Sequence, residues 1–355
     1  MSTKTALATT TPRAAGFRQP AEWDPHEAVW LAWPSHEDLW GDALVPVRLA
    51  FAAFASAIAD VAPATGKPRG ERLEILAPDA GNEALAKTAL AGFGARFHRI
   101  PFGDIWLRDT APVFLLGPGG MRATASFGFN GWGGKYVLPD DDGVSTRVAE
   151  KAGLPVFRFP WVLEGGSVEV DGEGTCLTTR QCLLNPNRNP GMPREAIESG
   201  LKDALGCTAV LWLGDGLLND HTDGHIDTLA RFVSPGAVVC MSPAGEDDPN
   251  RKVLAEIEHD LRSFHDAKGR ALRVTTIPSP GLVRDAEGEA MPASYVNFYV
   301  ANTTVIVPAF GVPNDEAARA DVAKLFPTRR AVSAPARDLL EGGGAFHCIS
   351  QQEPA

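Results

Sequence analysis

Positive charge is in short supply. The 355 residues carry 33 Lys plus Arg against 44 Asp plus Glu, a formal net charge of -11. A phosphate backbone is repelled by that balance unless the basic residues cluster, so nucleic acid is not an expected partner. Cysteine is scarce too: Cys176, Cys182, Cys207, Cys240 and Cys348 make an odd number without paired CxxC spacing. This argues against a disulfide framework and a structural zinc site, and it fits a reducing compartment, the cytoplasm. No stretch approaches the roughly 20 apolar residues that cross a bilayer, because Pro, Gly or a charge interrupts each candidate, so no membrane partner is expected. The N-terminus, MSTKTALATTTPRAAG, lacks the apolar core of a secretory signal, and residues 1–15 read as a disordered lead-in. Core-forming residues are plentiful. At 44% hydrophobic and 22% charged, residues 16–355 read as one domain that folds on its own.

The order of elements repeats. Strands at 111–117 and 121–130, a helix at 144–152 and a strand at 156–159 are followed by the same four elements at 167–170, 175–179, 194–205 and 209–213. A third pass runs 226–233, 237–241, 251–264 and 272–277, and a fourth 295–301, 303–308, 316–325 and 331–333. The chain ends in a lone strand, 346–350, and begins with the complement: strand 28–33, helix 45–61 and strand 73–76. Joining the termini would complete a fifth unit. Such an array resembles a propeller with a ligand at its axis, and a two-layer α/β sandwich uses the same elements.

Polar residues gather at the start of each unit's first strand, where a propeller would bring them to the axis. They are Asp109 in IWLRDTAP, Glu164 in LEGGSVEV, His225 and Asp227 in GHID, Asn297 in SYVNFY, and Cys348 in GGGAFHCISQQ. Alternation along a strand would put His225 and Asp227 on one face. His221, His225 and Asp227 have ligand-type side chains, but their spacing suits zinc only on a helix, so no metal is expected. Buried cysteine usually behaves as a small hydrophobe, the reading for four of the five. Cys348 differs in following Gly342-Gly343-Gly344 and preceding a polar segment, a setting in which a thiolate could react. His347 would point to the opposite face of a strand, so His225 is the better base for it. Glu164 reads equally as a ligand or a turn residue, and NPNRNP reads as a loop fastener.

Taken in order, AEWDPHEAVWLAWP, DIWLRDTAPVF, FNGWGG, LEGGSVEVDGEGTCLTTRQCLLNPNRNP, GLLNDHTDGHID, SYVNFY and GGGAFHCISQQ resemble the agmatine deiminase family. That family belongs to the guanidine-modifying superfamily, which also holds bacterial peptidylarginine deiminases. The resemblance implies a five-bladed α/β propeller, the pentein fold. It implies Cys348 as nucleophile, His225 as general acid and base, Asp109 and Asp227 as guanidinium-binding carboxylates, and Glu164, Trp106 and Asn297 in support of substrate. It also implies a small cationic guanidine substrate, hydrolysis of agmatine to N-carbamoylputrescine and ammonia through a covalent amidino-thioether, and a place in putrescine biosynthesis without any cofactor. Oligomeric state is not readable from the sequence, and a homodimer would be unsurprising for a cytoplasmic enzyme. Deimination of peptidyl-arginine or another alkylguanidine is the alternative within catalysis, and a non-catalytic guanidine-binding protein is the alternative outside it.

One departure concerns specificity. His221-Thr222-Asp223 stands where plant-type agmatine deiminases typically have an acidic residue, Thr and Asn. Agmatine is a dication, and Asp215, Asp220 and Asp223 are the candidates for its distal amine.

Overall fold

Each sequence repeat builds one small sheet. In the computed structural model, which describes residues 10–355, Val113–Leu116 and Arg122–Gly128 pair antiparallel, helix Asp141–Ala152 crosses over, and Val156–Val162 returns parallel to the second strand. A tight turn cannot join parallel strands, which is why a helix intervenes. The order recurs in Glu169–Val170, Thr175–Thr179 and Ala209–Leu213, in Ala230–Ser234, Ala237–Ser242 and Arg273–Pro278, and in Tyr299–Val300, Thr304–Ala309 and Arg330–Pro335.

Both chain ends make the fifth sheet. Ser350–Pro354 lies antiparallel on His26–Ala32, with Leu31 beside Ser350 and His26 beside Pro354. Arg72–Ala77 then adds in parallel after helix Leu44–Ala59, and Arg96–Arg99 follows as an extra edge strand after helix Ala80–Ala89. The described residues thus form five separate sheets, one of four strands and four of three.

The sequence reading placed the first strand of each unit too early, and always for the same reason. Residues 107–110 form a helical turn, 165–167 and 226–228 are 3-10 turns, 295–296 is a turn, and 346–349 is a turn ahead of the last strand. In each unit the chain leaves the ladder just before the strand. Its backbone groups there pair with side chains and other turns, which a sequence window cannot register.

Two further expectations need correction. Residues 1–9 of the lead-in lie outside the described residues, but order begins before residue 16. Arg13 N–H donates to the Asp203 carbonyl at 3.0 Å, and Phe17 is buried against Phe157. The segment Glu37–Ala59 has the length and composition of a membrane span, against expectation. Gly41, at φ 47°, breaks it into two helices, and the longer one buries Leu44, Val47, Phe51, Phe54 and Ile58 in the core. Burying each such large side chain contributes about 1.5–3 kcal/mol, so this is a core helix. Phe54 also stacks on Phe346 at 4.6 Å and anchors the turn that carries Cys348.

Candidate active site

The five turns that precede the strands meet one another. Arg108 N–H donates to the Cys348 carbonyl at 3.0 Å, Gly166 N–H to Asp109 Oδ1 at 2.9 Å, Asn297 Nδ2 to the Asp227 carbonyl at 3.3 Å, and His347 N–H to the Asn297 carbonyl at 3.2 Å. Asp109, Glu164, His225, Asp227, Asn297 and Cys348 come from five sheets and share this junction, all buried.

Cys348 Sγ has polar neighbours. Asn297 Oδ1 accepts from the backbone N–H groups of His347 and Cys348 at 3.2 and 3.4 Å, which leaves Nδ2 to donate toward Sγ at 3.2 Å. Asp227 Oδ2 lies 3.6 Å from the sulfur. Burial pushes the Cys348 thiol well above its usual range, and the Asp227 and Asp109 carboxylates push in the same direction. Burial and the two carboxylates thus favour the thiol over the thiolate.

Because 346–349 is a turn and not a strand, His347 does not diverge from the site. Its Nδ1 lies 2.7 Å from Asp227 Oδ2 and its Nε2 2.8 Å from Glu22 Oε2. Glu22 in turn holds fully buried Arg231 at 2.5 Å, and Glu169 takes Arg231 Nε at 2.9 Å. Burial alone would raise Asp227, but the hydrogen bond and charge of His347, with His225 and Arg231 behind them, bring it below the usual carboxylate range. Asp227 is thus ionised, and its Oδ1 is buried without a hydrogen-bond partner.

On the other side, Asp109 Oδ2 accepts from Trp132 Nε1 at 2.8 Å. Trp132 sits at φ 52°, a left-handed conformation rare for a bulky residue, within the glycine-rich loop 130–134. That strain turns the indole onto Asp109. Gly166 fits between the acids and the imidazole: a methyl group there would lie 2.6 Å from His225 Nδ1, 3.0 Å from Asp109 Oδ1 and 3.1 Å from Asp227 Oδ2.

His225 Nδ1 is 3.8 Å from Asp109 Oδ1, and neither ring nitrogen has a hydrogen-bond partner. Burial disfavours its charged form, but Asp109 first, then Cys182 and Glu164, outweigh burial and hold it well above its usual range. Cys182, next to it, is itself pushed up by burial and stays neutral. His225 is an imidazolium with a proton to give.

A cavity of about 350 Å³ opens onto this junction, with Cys348 and Asp109 on its wall. A larger one of about 750 Å³ adjoins it, and its lining does not include Cys348. Trp40 and Trp106 form one side of the smaller cavity, both tied through Nε1 to Asp104, at 3.0 and 2.8 Å. Gly342 and Gly344 let the chain lie against these rings, since a methyl group would meet Trp40 at 2.5 Å or Trp106 at 2.7 Å.

None of the three aspartates expected to meet a distal amine lines the cavity that holds Cys348. Asp223 is taken by Lys135 at 2.6 Å, Asn187 at 3.0 Å and Arg188 at 2.6 Å. Asp220 closes its own loop by accepting from Thr222 N–H at 2.8 Å and Gly224 N–H at 3.1 Å. Asp215 is exposed and lines neither cavity.

The chain from residue 18 to 354 matches the family model described as Porphyromonas-type peptidyl-arginine deiminase. It is 39% identical to the agmatine deiminase of Ectopseudomonas mendocina over 370 residues, covering 98% of each chain. The chain belongs to the agmatine deiminase family. Among solved structures of the family, the Enterococcus faecalis agmatine deiminase is 34% identical, with a TM-score of 0.89 over 97% of this chain and 98% of that one. A cysteine-to-serine variant of the C. jejuni agmatine deiminase, solved with substrate bound, is 27% identical at a TM-score of 0.85, covering 96% of each. The α/β pentein fold is common to them.

Within this agmatine deiminase family framework, several site residues escaped the sequence reading. Glu22, Arg231 and Trp132 lie far along the chain from what they support, and His347 was set aside on strand geometry that does not apply. Arg188, from NPNRNP, does fasten loops, through Glu164 Oε1 and Asp223 Oδ2, both at 2.6 Å. Cys182 is not only a core residue: its sulfur groups with Glu164 and His225 within 4.8 Å. His221 forms no such group with His225 and Asp227, because its Nδ1 faces the Tyr136 hydroxyl at 3.1 Å.

Proposed function

We propose that the protein hydrolyses agmatine to N-carbamoylputrescine and ammonia through a covalent intermediate on Cys348. One observation carries the reading: a cysteine sulfur lies 3.6 Å from an ionised carboxylate that keeps a buried, unpartnered oxygen. A guanidinium is always charged near neutrality and offers planar N–H donors, which suits Asp227 Oδ1 and Asp109. The relatives, deiminases acting on agmatine by name, support the same substrate.

Entry of the cation between Asp109 and Asp227 offsets the negative charge that holds Cys348 protonated, and the thiol releases its proton to solvent. Sγ attacks the guanidinium carbon, His225 protonates the departing nitrogen, and ammonia leaves an amidino-thioether. His225, now neutral, takes a proton from water as its oxygen attacks. Collapse frees the ureido product and the thiol. Asn297 steadies the sulfur, and Glu164 keeps His225 charged. The domain is a single unit that takes in the chain from Arg13 onward, and the five sheets are blades about a pseudo-fivefold axis. The ordered contacts among the five turns support that arrangement.

The test is ammonia release from agmatine, free arginine and an arginine-containing peptide, each with wild type and Cys348→Ala. Agmatine should have the highest kcat/KM and the Cys348→Ala enzyme none. Faster turnover of the peptide, or a tenth of wild-type activity in Cys348→Ala, would overturn the assignment.

A further inference from the structure

We infer that Glu341 holds the distal ammonium of the substrate. The inference rests on the agmatine reading and names the residue that distinguishes agmatine from simpler guanidines. Three acidic side chains line the cavity that contains Cys348: Asp104, Asp109 and Glu341. Asp109 is at the reacting end. Both oxygens of Asp104 are committed, Oδ1 to Trp40 Nε1 and the Ile105 N–H, Oδ2 to Trp106 Nε1. Glu341, exposed at the rim, makes no hydrogen bond or ion pair through its carboxylate among the described residues.

Its backbone position suits the role. Glu341 ends the short helix Arg337–Leu340 and precedes the glycine run that lies against Trp40 and Trp106. The loop that runs from Glu341 through the three glycines to Cys348 therefore brings both residues to the wall of one cavity, which Trp40 and Trp106 also line. Those rings can cover an aliphatic chain and attract a nearby ammonium through their faces. Glu341 also marks the boundary between the two cavities, which share it with His221 and Gly343. The outer cavity carries Asp285, Glu287 and Glu289, so the field along the whole entrance favours a cation. Only Glu341 of this set lies on the wall that also holds Cys348.

The contact falls between a screened surface pair and an enclosed charge-assisted bond, so its loss should cost on the order of tenfold in kcat/KM. The experiment compares agmatine with n-butylguanidine, which has no distal amine, in wild type, Glu341→Gln and the triple variant Asp285→Asn, Glu287→Gln, Glu289→Gln. In Glu341→Gln, KM for agmatine should rise about tenfold while n-butylguanidine changes less than twofold. Glu341→Lys should in addition gain turnover of 4-guanidinobutanoate, whose distal group is an anion. Parallel changes for agmatine and n-butylguanidine would overturn the inference, as would a larger rise of the agmatine KM in the outer-cavity triple variant. Absence of ammonia release from agmatine by wild type would instead refute the proposed reaction, so the two failures are distinguishable.

Discussion

Gly166→Ala tests whether the site depends on a close approach that only the folded chain reveals. The added methyl group would lie 2.6 Å from His225 Nδ1, against the 3.4 Å at which ordinary contact begins, with Asp109 and Asp227 oxygens at 3.0 and 3.1 Å. The imidazole must therefore retreat by about 0.8 Å, and the carboxylates by about 0.3 to 0.4 Å. None of the three has room, since all are buried at the junction. A misplacement of about 1 Å in a catalytic group costs roughly a hundredfold in rate, and overpacking a dense interior costs about 1–3 kcal/mol of stability. Gly166 has no positive φ that would strain an alanine backbone, so the variant should fold with a modestly lower Tm. Steady-state ammonia release should show kcat/KM for agmatine down about a hundredfold, with thermal unfolding still cooperative. A folded Gly166→Ala enzyme within threefold of wild type would refute the claim that this glycine sets the spacing of His225, Asp109 and Asp227.

His347→Gln should remove the partner that keeps Asp227 ionised. Burial then dominates, the Asp227 carboxyl rises, and the acid limb of kcat/KM against pH moves upward; an unchanged acid limb would show that His347 only packs. Cys348 should alkylate slowly in the free enzyme at pH 7–8, because burial and two carboxylates hold it as a thiol; fast, pH-independent labelling by iodoacetamide at pH 6 would contradict that. Asp141, pushed up to about 7 chiefly by burial, is protonated in the fold but ionised in the unfolded chain above its ordinary value of 3.8. Unfolding then releases a proton, so stability should fall as pH rises from about 4 to about 7, by up to roughly 4 kcal/mol. Urea unfolding across that window should show the slope, and Asp141→Asn should flatten it.

Much of the fold was legible because hydrophobic periodicity and turn residues are local. The order of two strands, a helix and a strand could be read four times along the chain. The strand left over at each end pointed to a fifth sheet, which His26–Ala32 and Ser350–Pro354 form. The chemical residue types were legible as well: a cysteine after three glycines, and a histidine and an aspartate two residues apart. Geometry at the first strands was not. Alternation in GHID suggested a strand face shared by His225 and Asp227, whereas a 3-10 turn presents them both. The same error placed His347 away from a site that it supports at 2.7 Å.

The amino-acid sequence by itself determined the units, their crossover helices and the set of groups able to attack a guanidinium, because each depends on residues close together along the chain. Only the tertiary structure decided which charges are free. Asp223 and Asp220 carry the right charge in the sequence but are satisfied by Lys135, Arg188 and backbone N–H groups. Glu341 drew no attention in the sequence, yet it stands unpartnered on the wall that holds Cys348. A carboxylate's availability is set by the donors that converge on it, and those donors come from segments that meet only when the five sheets assemble.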